Sequence, residues 1–119
     1  MQRFAELKVW QKSHALVLEV YRATKTFPDE ERFGLTSQLR RAATSVPANV
    51  AEGSKRQRNP DYARFLNIAE GSLAETEYLL MLARDLGYLD AKRAETVRAG
   101  VPDVARMLHA LRAKVEEAK

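Results

Sequence analysis

The chain predicts an all-α protein, an antiparallel up-down-up-down bundle of four helices, and three observations predict it. Apolar residues recur at steps of three and four through four separate stretches, the period of a helix with one buried face. Glycine, proline and capping residues fall mostly between those stretches, and no segment shows the period of two that marks a strand. At 119 residues with 45% apolar composition, the chain is one domain with enough apolar surface for a single core.

The first helix is expected over about residues 6–26. Leu7, Trp10, His14, Val17, Tyr21 and Thr24 fall on one face, and Leu18 widens it. Phe27-Pro28 ends it, because a residue before proline is pushed out of the α region. The acids of Pro28-Asp29-Glu30-Glu31 suit the positive start of a short helical turn, and Gly34 then breaks the chain. The second helix is expected over about 35–55, with Leu35, Leu39, Ala42, Ala43, Val46 and Val50 as its apolar stripe. Pro47 removes an interior hydrogen bond, at a cost of about 3 kcal/mol. The pattern continues past it, which predicts a kink with the Ala43 carbonyl freed and the Thr44 or Ser45 hydroxyl near enough to cover that turn.

Asn59 reads as the N-cap of a third helix over about 60–86, with Pro60 at its first position. Its stripe runs from Tyr62, Phe65 and Leu66 through Ala69, Ser72, Leu73 and Thr76 to Leu79, Leu80, Ala83 and Leu86. Gly87 closes it. Asp90 caps the fourth helix, over about 90–117. There Val97, Val101, Val104, Leu108, Leu111 and Val115 step by four and three, and Gly100 and Pro102 predict a kink or break.

A polar stripe flanks the apolar face of helix 2: Arg41, Ser45, Asn49, Glu52 and Arg56. If helices 2 and 3 run antiparallel about the 57–58 loop, position 45 lies opposite about 71. The small residues Ala42, Ser45, Gly71 and Ser72 then allow close approach there. Arg41 or Arg40 is expected to meet Glu75, and Glu52 to meet Arg64, in an inter-helix network that fixes register: Arg41, Ser45, Asn49, Glu52 and Glu75.

Several chemistries are not indicated. The chain has no cysteine, which excludes disulfides, thiolate catalysis and thiolate metal sites. Neither His14 nor His109 has a glutamate three residues before it, so a di-iron carboxylate bundle fails. His14 is expected as a part-buried core histidine and His109 as surface or interface. Ser45, Ser54 and Ser72 have no histidine close in sequence, and no phosphate-binding glycine loop is present. No catalytic, cofactor-binding or metal-ligating residue is therefore assigned, and no cofactor is expected. The N-terminus lacks the apolar run of a secretory signal, and no stretch approaches the roughly 18 apolar residues of a membrane span. A cytoplasmic protein without membrane contact is expected.

Charge is the one feature that points to a partner. The net charge of +4 is mild, but it is unevenly spread. Ser37 to Leu66 holds six basic residues (Arg40, Arg41, Lys55, Arg56, Arg58, Arg64) against two acidic. Asn67 to Asp90 holds one basic residue against five acidic. Lys55, Arg56, Arg58 and Arg64, with Arg40, are candidate phosphate contacts. Tyr62 and Phe65 lie close by, and an aromatic ring can stack on a base, although Phe65 also fits the core stripe.

Four segments carry a family resemblance: Phe4-Ala5-Glu6-Leu7-Lys8-Val9-Trp10-Gln11; Phe27-Pro28, Glu31 and Gly34 through Ala43; Ser45 through Gly53; and Phe65 through Glu75, with Leu86-Gly87-Tyr88 after it. Over about residues 4 to 90 the chain closely resembles the bacterial four-helix bundle family called 23S rRNA intervening sequence protein, or S23-like. The resemblance implies an antiparallel bundle assembled into a ring-shaped homo-oligomer, a pentamer. It also implies kinship with the accessory variability proteins of diversity-generating retroelements, which are basic bundles that bind nucleic acid. The family's name records where some of its genes lie, within rRNA genes, and supplies no catalytic residues to carry over. Arg41, Asn49, Glu52 and Glu75 match the family pattern and read as architectural. Two functions compete: an oligomer associated with RNA or DNA through the basic corner, and a scaffold that binds a partner protein and no nucleic acid.

Overall fold

The structure, a computed structural model, describes residues 3–118. It is an all-α antiparallel bundle, and no strand occurs among the described residues. A short 3-10 turn, Phe4–Glu6, leads into α1, Lys8–Thr24. A second turn, Asp29–Glu31, precedes α2, Leu35–Ser54. Helix α3 is Asn59–Asp85, and the fourth arm is split into α4, Ala91–Arg98, and α5, Val101–Glu117. Each arm packs on the next, and α1 meets α4 and α5 to close the bundle. At 1.5 Å per residue the 27 residues of α3 reach about 40 Å, most of the 47 Å long axis.

The core is continuous from end to end. Val20, Leu39, Val46, Val50, Leu66, Leu80 and Leu108 are wholly buried, one or more from every arm. Helix α2 continues through Pro47, which is itself buried. Neither hydroxyl expected at the disturbed turn covers Ala43: Thr44 Oγ1 donates to the Arg40 carbonyl at 2.6 Å, and Ser45 Oγ bonds Ser72 Oγ at 2.8 Å. That serine pair crosses from α2 to α3 and sets the antiparallel register.

The buried face of α1 is rotated from the expected one. It is built from Val9, Ser13, Leu16, Val17, Val20, Ala23 and Thr24, while Leu18 and Tyr21 remain 41% exposed. His14 is not a core histidine: it is exposed, and its ring stacks on Trp10 at 5.0 Å. Ser13 enters the core because its hydroxyl donates to the Trp10 carbonyl of its own helix at 3.0 Å, so burial leaves no orphan donor. Close approach of α2 and α3 occurs at Gly53 rather than at Gly71. A Cβ on Gly53 would lie 2.9 Å from Phe65 Cβ, whereas one on Gly71 would meet nothing within 4 Å. Leu86, expected at the end of the α3 stripe, is half exposed.

The caps explain where the helices stop. Asp90 accepts from the Arg93 amide at 2.7 Å and starts α4. At the end of α3, Gly87 takes φ +82°, while its N–H bonds Arg84 O at 3.0 Å and the Tyr88 N–H bonds Ala83 O at 2.9 Å. That is the Schellman arrangement, which needs a left-handed residue. Asn59 is not the N-cap of α3. Arg58 holds that position without a side-chain cap bond, and Asn59, one residue inside, donates its amide to the Ala118 carbonyl.

Candidate nucleic-acid interface

Helices α2 and α3 meet at residues 55–58, at the end of the bundle that also holds the Phe4–Glu6 turn and the end of α5. Lys55 Nζ lies 6.0 Å from the centre of the Phe4 ring. Arg56 and Arg64 both set their guanidinium groups over Phe65, at 4.8 and 4.7 Å. Each contact is of cation–π type. Phe65 lies outside the continuous core cluster, and the two arginines, with Gly53 beside its Cβ, leave it only 8% exposed. Arg58 is exposed at the positive start of α3. The one ion pair that these four cations make among the described residues is Arg56 with Glu52, at 3.8 Å and half exposed.

Beside this corner opens a groove of about 950 Å³ between the first turns of α3 and the last turn of α5. Arg58, Arg64 and Asn67 line it from α3 and the corner; Arg112, Val115 and Glu116 line it from α5. Arg112 is committed to carboxylates, to Glu70 through Nε and to Glu116 at 3.3 Å. Glu70, bonding directly to its guanidinium, holds Arg112 still more firmly protonated than usual. Tyr62 packs half-buried against the core, and that burial pushes its phenol up from the ordinary value.

Arg40 is not part of the corner. Its Nε donates to Thr24 Oγ1 at 2.8 Å and its guanidinium covers Tyr21 at 4.6 Å, so it ties α2 to α1. It stands about 24 Å along α2 from Arg56. On the polar stripe, Asn49 donates to the carbonyl and hydroxyl of Ser45 at 2.7 and 2.9 Å, and Ser45 reaches Ser72. Arg41 and Glu75 line one shallow groove of about 420 Å³ between α2 and α3 but form no ion pair. Glu75 instead accepts from Gln38 at 3.4 Å. Glu52 pairs with Arg56 one turn along its own helix and not with Arg64. His109 is exposed, 3.9 Å from Glu70.

The wall supplied by α5 escaped the sequence reading. Asn59 is far in the chain from Arg112 and Val115, and the usable signal was topological: in an up-down bundle the fourth arm ends beside the start of the third. No helix among the described residues is long and apolar enough to cross a membrane.

Comparison with known proteins places this architecture. No curated protein matches the chain. Among solved structures it is similar to a Bacteroides thetaiotaomicron protein described as being of unknown function and from the S23 ribosomal protein family. The two are 27% identical with a TM-score of 0.79, over 87% of this chain and 96% of that one. Residues 5–110 match the family described as 23S rRNA-intervening sequence protein, and the chain belongs to that family.

Proposed function

We propose that this chain is a non-enzymatic, self-associating, cytoplasmic bundle that associates with RNA through the α2–α3 corner. The observation that carries the proposal is the gathering of Lys55, Arg56, Arg58 and Arg64 at one end of the bundle, with the exposed Glu52 as their one ion-pair partner among the described residues. Cations left so little neutralised suit a polyanion, because each phosphate they bind releases condensed counterions. Sedimentation with a structured RNA at low and at high salt tests it. The expected result is a complex at low salt that dissociates at high salt, and loss of that complex when Lys55, Arg56 and Arg58 are all changed to Glu. Unchanged affinity in that triple variant would remove the corner from the proposal.

A second reading has its own observation. Phe33 is 88% exposed, Tyr78 59% and Leu86 50%, large apolar side chains that contact with another protein would cover. A ring of subunits built through such surfaces, with a pentamer as the family resemblance implies, is compatible with either reading. An assembly that ignores RNA at both salt concentrations would favour a protein-binding scaffold.

A further inference from the structure

Resting on the RNA reading, we infer that the groove between α3 and α5 seats an unpaired nucleotide, so that the corner selects single-stranded RNA over duplex. The two α3 rings near the cations are not available for stacking, and the third ring at the corner, Phe4, already packs on Trp10 at 5.3 Å. Phe65 is already covered by Arg56 and Arg64, and Tyr62 is packed against the core. The apolar surface next to the cations is the groove itself, where Pro60 is exposed and the largely buried Ala63 and Val115 show an edge. Arg58 and Arg64 border that surface on the α3 side. Asn67 is exposed there, and its amide has no hydrogen-bond partner among the described residues.

These features match the two chemistries of a nucleotide. A phosphate needs the guanidinium groups, and a base needs an apolar face with a polar group at its edge. On the α5 side the carboxylate that lines the groove, Glu116, is paired with Arg112 at 3.3 Å. A volume of about 950 Å³ lies within the range of small-ligand pockets, roughly 300–1,000 Å³. A duplex stacks its base faces inside and offers phosphates and sugars outside, so it would leave the apolar walls unused.

The test compares a short fluorescein-labelled oligouridylate, free and annealed to oligoadenylate, by anisotropy at low salt. The free strand is expected to bind about tenfold tighter or more, the size of one lost base-stacking contact. Asn67→Leu, at an exposed helical position, removes the polar group at the base's edge without changing charge or adding a ring. It should reduce that preference through weaker single-strand binding. As a readout independent of any variant, a strand carrying 4-thiouridine should crosslink within residues 58–67 or the end of α5. Duplex binding equal to or tighter than single-strand binding, or crosslinks mapping only elsewhere, would overturn the groove assignment and leave RNA association standing. Failure of both RNAs to bind at low salt would overturn RNA association itself, and the groove assignment with it.

Discussion

The two ends of the bundle are built differently. At one end the α1–α2 and α3–α4 loops are locked together. The Phe27 and Tyr88 rings lie 5.6 Å apart, and the Tyr88 hydroxyl donates to Glu31 at 2.8 Å. The other Glu31 oxygen accepts from the Leu35 amide at 3.0 Å, so one carboxylate caps α2 and ties down the second loop. At the opposite end the α2–α3 corner presents exposed cations beside an open groove, and Asn59, the first residue of α3, bonds the Ala118 carbonyl. The first end spends its polar groups on holding loops in place. The second leaves its polar groups facing outward, which is where the proposed RNA would find unsatisfied charge.

The largest effect that should separate stability from surface chemistry comes from the core. Leu39 is wholly buried, and Leu39→Ala should cost about 2–5 kcal/mol in urea unfolding. Lys55→Ala, at the exposed corner, should stay within about 0.5 kcal/mol of the parent. A large loss from Lys55→Ala would mean that the corner carries fold stability and break the contrast.

Two glycines sharpen it next. Gly53→Ala places a methyl 2.9 Å from Phe65 Cβ and 3.0 Å from Tyr62 Cδ1, an overpacking that should cost about 1–3 kcal/mol. Gly71→Ala meets open space and should raise stability by about 0.5–1 kcal/mol, the helix-propensity gain alone. Thermal unfolding of both variants measures the difference. Equal responses would place the tight contact between α2 and α3 somewhere other than Gly53.

The locked end should also be sensitive to acid. The Leu35 amide, and after it the Tyr88 hydroxyl, hold the Glu31 carboxyl below its ordinary value of 4.5. A depressed folded value means that the stabilisation is fully present above 4.5 and is lost as pH falls through the folded value. Asp103, held low by Arg106 and then Lys12, acts in the same direction. Urea midpoints should therefore fall between neutral pH and the carboxylate range, and Glu31→Gln should flatten that fall only in part. An unchanged acid profile in Glu31→Gln would show that the two loops are held by the Phe27–Tyr88 packing alone.

Much of this contrast was legible in the sequence, but unevenly. The apolar stripes of α2 and α5 read correctly because their large aliphatic residues repeat without competition from aromatics. In α1 the large residues Trp10, His14 and Tyr21 drew the expected face toward themselves. The core instead took Val9, Ser13, Leu16 and Val20, and a serine that satisfies its own hydroxyl within the helix gives no apolar signal. The corner cations were visible as charges, but their geometry was not. Which ring Arg56 covers, and that Arg40 turns toward Thr24, depend on side-chain directions that spacing does not fix. The groove joins residues that only the closed bundle brings together.

The smallest predicted effect concerns two helix starts, one at each end. Asp90 caps α4 with a bond to the Arg93 amide, and Asp90→Ala should cost about 1 kcal/mol. Arg58 occupies the same position before α3 in extended backbone, φ −101° and ψ 132°, yet caps nothing with its side chain. The second helical position there is Pro60, which has no N–H, so the donor left for a capping side chain is the Asp61 amide, which already bonds the Arg58 carbonyl at 3.1 Å and would share its hydrogen. A serine hydroxyl can accept from that amide and an arginine cannot. Arg58→Ser should therefore stabilise the fold by about 0.5–1 kcal/mol. The same change removes a cation from the groove, so it should weaken RNA binding and reduce the salt slope by about one. Stability and affinity moving in opposite directions would show that this position is held for its charge at the expense of the cap. If both fell together, Arg58 would be a structural residue, and the phosphate contacts would have to come from Arg56 and Arg64.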